Sequence, residues 1–232
     1  MSRKMIFLTL FSVFVLAMNS KAQNKTTLST EEFEKKLTQK NIQLLDVRTQ
    51  EEYNSGHIKN ALLADWTNQF VFKERIQALD KTKPLYTYCL SGARSSAAAS
   101  WLRANGFREV YHLEGGITSW KRNDRPVEGL KKVKPLTVGE YSAQIPADKT
   151  VLVDVGAVWC PPCKKMEPVL KNLQNSYGKL FKLIYVNGGE QESLAKQLGA
   201  DAFPTFIIYK KGKEVWRRTG IVSEEELLKQ LK

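Results

Sequence analysis

Two cysteines set two residues apart, between an apolar run and a helical pattern, limit this chain's fold more than any other feature. The stretch is Val158-Trp159-Cys160-Pro161-Pro162-Cys163-Lys164. Residues 150–155 lead in as a buried strand, and residues 164–173 lead out as a helix. A strand that turns into a helix through C-x-x-C puts the first sulfur at the helix N-terminus. Unpaired backbone N–H groups and the helix dipole favour an anion there. Cys160 is therefore expected to be the thiolate that attacks, and Cys163, one turn further in, the thiol that resolves. Pro161 and Pro162 suit a first helical turn, where a missing N–H costs nothing. The competing reading of C-x-x-C is half a zinc site, which needs two more Cys or His ligands. The remaining candidates, Cys89, His57 and His112, all lie far upstream. A redox pair is the better reading, and no metal is expected.

A chain of 232 residues has room for two small domains. Its start is not globular. Arg3 and Lys4 precede an apolar run at 6–18, and Ser20 and Ala22 stand two apart before Gln23. A positive end, a short apolar stretch and a small-x-small site describe a signal peptide over 1–22, with an uncleaved anchor as the alternative. Export to the periplasm of a bacterial envelope follows, with membrane contact only through that segment. The formal charge is +12, and +9 once Arg3, Lys4 and Lys21 are removed. The excess is spread over both halves. Nucleic-acid binding calls for a concentrated basic stripe, so no such partner is expected. The third cysteine, Cys89, stays single if Cys160 and Cys163 pair. A lone thiol in an oxidising compartment is a candidate reactive group.

The first half, residues 23–127, alternates strand and helix signals. Ser29-Thr30-Glu31-Glu32 is a capping box that opens a helix to about residue 39. Strands are expected at 42–47, 85–88 and 109–112. Helices are expected at 51–55, 68–79, 95–104 and 117–120. This alternation argues for a parallel sheet. Cys89 closes one strand, and Arg94 opens the next helix. Gly92 lets the loop between them curl so that its N–H groups point inward. Such a nest, backed by a helix N-terminus, holds an anion: the thiolate, or a sulfur attached to it. Arg94 can pin an incoming oxyanion with two parallel hydrogen bonds. Asp46 and Arg48 read as a structural pair at a strand end, and His57 as a turn residue.

These motifs resemble the rhodanese family of sulfurtransferases over roughly residues 28–125. The likeness rests on Leu45-Asp46-Val47-Arg48, Glu52-Tyr53, Gly56-His57-Ile58, Cys89-Leu90-Ser91-Gly92-Ala93-Arg94-Ser95, and Leu113-Glu114-Gly115-Gly116 with Trp120. The resemblance implies that Cys89 carries sulfane sulfur as a persulfide and passes it to a thiophilic acceptor. Relatives of the phosphatase type have one more residue between Cys and Arg, so the spacing here favours sulfur over phosphate. A rhodanese fold kept only as a binding module is the alternative.

Residues 128–135 read as a polar linker. In 136–232, helices are expected at 137–145, 161–176, 192–198 and 224–231, with Pro168 kinking the second. Strands are expected at 151–155 and 182–186, and a hairpin at 206–209 and 214–218. This half resembles thioredoxin through Val153-Asp154, Trp159-Cys160-Pro161-Pro162-Cys163-Lys164, Phe203-Pro204-Thr205-Phe206 and the Gly212 hairpin. The resemblance implies a redox-active disulfide between Cys160 and Cys163. It makes Asp154 a buried carboxylate able to take the proton of Cys163 through water. Pro204 matches a cis-proline beside the disulfide where a partner's backbone docks, and Trp159 shields the site. Two positions depart from the family pattern. Pro161-Pro162 replaces Gly-Pro, so the reduction potential does not carry over. Tyr185 stands where a lysine usually faces the buried acid.

The expected fold class is α/β, a rhodanese-like parallel-sheet domain followed by a thioredoxin-fold domain, with no cofactor. The expected function is sulfur transfer through Cys89 coupled to dithiol exchange through Cys160 and Cys163. The expected partners are a sulfane-sulfur donor such as thiosulfate, and protein thiols or an envelope reductant. The alternative is a disulfide reductase whose first half only docks partners; a net disulfide oxidant is a third reading.

Overall fold

The computed structural model describes residues 25–129 and 134–232. The expected export segment and the middle of the linker lie outside the described residues.

The first domain is built on β1 (Thr27–Leu28), α1 (Thr30–Leu37), β2 (Gln43–Asp46), α2 (Gln50–Asn54), β3 (Leu62–Leu63), α3 (Gln69–Ile76), β4 (Leu85–Tyr88), α4 (Ala93–Ala104), β5 (Val110–Leu113) and α5 (Gly116–Arg122). The five strands form one parallel sheet in the order β1-β5-β4-β2-β3. The Ser29 capping box is present: Ser29 Oγ accepts from Glu32 N–H, and Glu32 accepts from Ser29 N–H. Thr49 and Glu52 build a second box at α2. Along β2 the side chains alternate between faces. Leu44 packs with Phe33, Tyr86 and Trp120, while Leu45 packs with Leu85, Ala98 and Leu102.

The strands β1 and β3, two residues each, were not among those expected. No two-residue strand shows a period, and these form by pairing with stronger neighbours. The expected pair at the end of β2 is there and fully buried: Arg48 Nη2 lies 2.6 Å from Asp46 Oδ2 and also donates to the Gly56 carbonyl at 2.8 Å. His57 sits in a turn, stacked on the Tyr53 ring, and pairs by backbone with Glu128. That pairing ties down the start of the expected linker.

The second domain comprises α6 (Val138–Ser142), β6 (Thr150–Gly156), α7 (Pro161–Tyr177), β7 (Phe181–Asn187), α8 (Glu192–Gln197), β8 (Thr205–Lys210), β9 (Lys213–Thr219) and α9 (Glu224–Leu231). Its sheet runs β7-β6-β8-β9, with β6 and β7 parallel and the other pairs antiparallel. Val151, Val153 and Val155 of β6 face one core. Leu152 faces the other, with Met166, Leu173, Phe206 and Leu227. All seven residues of β6 are buried or nearly so, as befits the strand that delivers the C-x-x-C turn. Pro168 lies inside α7.

Candidate functional site

Cys89 follows β4 directly, at the C-terminal end of the parallel sheet, and its side chain is buried. Gly92, with φ of 102°, is the N-cap of α4, and its N–H reaches back to Cys89 Sγ at 3.1 Å. A side chain at Gly92 would crowd Gly115 N, 3.3 Å from the added carbon, in a backbone conformation that only glycine adopts freely. The loop is clamped from behind. Ile117 N–H donates to the Cys89 carbonyl at 2.8 Å and Thr118 N–H to that of Leu90 at 3.1 Å. Gly116 allows this closeness, because a Cβ there would overlap both carbonyl oxygens. Arg94 does not face an open anion site. Its guanidinium makes a bidentate pair with Glu52, at 2.7 and 2.6 Å. Glu52 is the N3 residue of the second capping box. Its role as Arg94's partner was not legible, since the two residues are 42 apart in sequence. Ser91, in the same loop, borders a cavity of about 500 Å³ with Ser29, Thr30, Gly115 and Ser119.

The second centre lies at the end of β6. Cys160 and Cys163 form a disulfide. Cys160 is the N-cap of α7, and its Sγ accepts the N–H of Cys163 at 3.3 Å. Pro161 and Pro162 occupy the first two helical positions. The Phe203–Pro204 peptide is cis, and the Phe203 carbonyl oxygen lies 3.5 Å from Cys160 Sγ. Asp154 is 8% exposed, and burial, aided by the charge of Glu167, pushes its carboxyl up to about 7. Its Oδ1 has no hydrogen-bond partner among the described residues. A Cβ placed on Gly156 would lie 3.3 Å from Cys163 Sγ and 3.4 Å from Asp154 Oδ1. The sulfur and the carboxyl oxygen therefore lie on the same side of the strand, no more than about 7 Å apart. Tyr185 pairs opposite Asp154 on β7, and burial pushes its phenol up to about 12.

Five of the expected site residues thus meet: Cys160, Cys163, Pro204, Trp159 and Asp154. Cys89, Gly92 and Arg94 form a separate group. Leu63 and Tyr88 both register with Asp46 on β2, so they lie two strand spacings apart, about 10 Å. Leu63 touches Trp159, and Tyr88 precedes Cys89, so the two sulfur centres share one end of the sheet without touching. The sequence reading missed what contacts Trp159: Leu63, Tyr53 and Arg75, all from the first domain.

Comparison with known proteins matches each half. The rhodanese-like domain model covers residues 29–123 and the thioredoxin model residues 132–232. This is a two-domain sulfur-chemistry protein: the chain belongs to the thioredoxin family in its second half and carries a rhodanese-like domain in its first. Thioredoxin from Alicyclobacillus acidocaldarius is 34% identical over 41% of this chain and 91% of its own length. The Bacillus subtilis protein YqhL is 35% identical over 50% of this chain and 91% of its own length. The tRNA uridine(34) hydroxylase of Pelagibacter ubique is 32% identical over 50% of this chain, and the match spans 38% of that relative. Rhodanese-like and thioredoxin domains are enzyme-type domains for sulfur transfer and thiol–disulfide exchange in general.

Proposed function

We propose that the protein is exported to the periplasm and couples a sulfurtransferase to a dithiol. The observation that carries this is the shared design of the two centres. Each sulfur lies between the end of a strand and the start of a helix and accepts a backbone N–H, Cys89 from Gly92 at 3.1 Å and Cys160 from Cys163 at 3.3 Å.

In this reading the Cys89 thiolate attacks the outer sulfur of thiosulfate. A sulfur–sulfur bond forms, the donor's sulfur–sulfur bond breaks, and sulfite leaves. The Cys160 thiolate then takes the sulfane sulfur from Cys89, which returns as a thiolate. Cys163, its proton passed to Asp154, attacks Cys160 and expels hydrosulfide. The dithiol is oxidised and the sulfane sulfur is reduced. An envelope dithiol reductant supplies the two electrons that restore the pair. Arg94 can hold the thiosulfate oxyanion once Glu52 gives way. The test is a single turnover with thiosulfate, followed by the mass of the Cys89 peptide. The parent should gain one sulfur atom and Cys89→Ser none. Equal uptake in Cys89→Ser would remove Cys89 from the reaction.

The contact between the domains favours a second reading, in which the first domain serves only to dock partners of a thioredoxin-like reductase. Cys89→Ser would then keep full dithiol activity, and Cys160→Ser would have none. The likeness to part of the tRNA uridine(34) hydroxylases adds no substrate, because less than half of their length is matched.

A further inference from the structure

Trp159 and Cys160 are 1% and 0% exposed. The first domain covers them. Leu63 lies on β3, the edge strand of the parallel sheet. Ala64 N–H donates inward to the Asp46 carbonyl, so the N–H of Leu63 points away from the sheet. It donates to the Trp159 carbonyl at 2.8 Å. The Arg75 guanidinium lies 4.7 Å from the centre of the Trp159 ring and donates to the Leu63 carbonyl at 3.2 Å. One side chain thus holds both partners of the contact. The Tyr53 ring meets the same indole edge-on at 6.2 Å. Tyr53, Ile58, Ala61 and Leu63 share one buried apolar cluster with Ala157, Trp159 and Cys160. At the rim Gln50 Nε2 donates to Glu192 Oε1 at 2.7 Å.

Thiol–disulfide exchange needs a thiolate to reach the sulfur it attacks. A sulfur with no exposed surface offers no approach. We propose that the rhodanese-like domain is a built-in cap over Cys160, that the closed form is the resting form, and that Arg75 is its latch. The proposal rests on the dithiol reading of Cys160 and Cys163 and is independent of any role for Cys89. The closed form is poised to open because it carries a cost: the Trp159 indole N–H is buried with no acceptor among the described residues. Opening gives that group back to water.

The test uses the oxidised full chain with Cys89→Ser, so that only one reactive centre remains. Dithiothreitol is added, and Cys160 and Cys163 are trapped by alkylation at intervals. Hydrogen exchange at the Leu63 amide reports whether the domains are docked. In Arg75→Ala, reduction and Leu63 exchange should both quicken about tenfold, the size of one lost cation–π contact with its hydrogen bond. If Leu63 exchange quickens and reduction does not, the domain is no cap. If neither changes, Arg75 is no latch. Should Arg75→Ala fail to fold, Glu192→Ala at the exposed rim is read the same way, with about a twofold rise expected. A disulfide that dithiothreitol cannot reduce even in the urea-unfolded chain would point instead to failure of the dithiol reading.

Discussion

Replacing Asp154 by asparagine should remove the loss of stability that this carboxyl imposes on the second domain as pH rises. Asp154 is buried, with Oδ1 unpartnered, and its carboxyl is raised from 3.8 to about 7. The folded domain therefore keeps this proton where the unfolded chain has lost it. Stability contributed by the group is fully present below about pH 4 and is lost as pH rises to about 7. Three pKa units at ~1.36 kcal/mol each set a ceiling of about 4 kcal/mol on the loss. Asparagine has the same shape and no charge, so it lacks this slope. Urea unfolding of the oxidised protein should show parent and Asp154→Asn similar near about pH 4.5, with the variant gaining up to about 4 kcal/mol by about pH 8. A gap that stays flat over that range would show Asp154 ionising like an exposed acid. It would also remove Asp154 as the proton acceptor for Cys163.

Other perturbations separate the two centres. Glu52→Gln keeps the capping box but frees Arg94, so the KM for thiosulfate should fall several-fold with little change in kcat. Gly116→Ala should slow sulfur loading of Cys89 by about tenfold or more, because the added carbon displaces the Cys89 and Leu90 carbonyls, while dithiol reactivity stays. Asp46→Ala leaves Arg48 buried and unpaired and should cost about 3–5 kcal/mol in a denaturation measurement on the first domain.

Much of this molecule could be read from the sequence because its signals are local. The Ser29 capping box fixed the start of α1. The apolar runs at 85–88 and 151–155 became buried strands, and the C-x-x-C turn became the N-terminus of α7. Long-range signals were not legible. Leu62–Leu63 is a strand only because β2 lies beside it, and it matters because its outer N–H meets Trp159. Trp159 read as a shield over its own site, whereas in the structure Arg75 and Tyr53 shield Trp159. Arg94 read as a free anion hook because nothing local marks its pairing with Glu52.

In the proposed reaction, sulfur held on Cys89 passes to Cys160. Loading purified Cys163→Ser protein with thiosulfate and identifying what Cys160 carries by peptide mass tests this transfer. With no resolving thiol, Cys160 should be found bearing the transferred sulfur or joined to Cys89, and neither product should form when Cys89 is also replaced by serine. Recovery of Cys160 as an unmodified thiol beside a persulfide that persists on Cys89 would show that Cys89 does not hand its sulfur to Cys160.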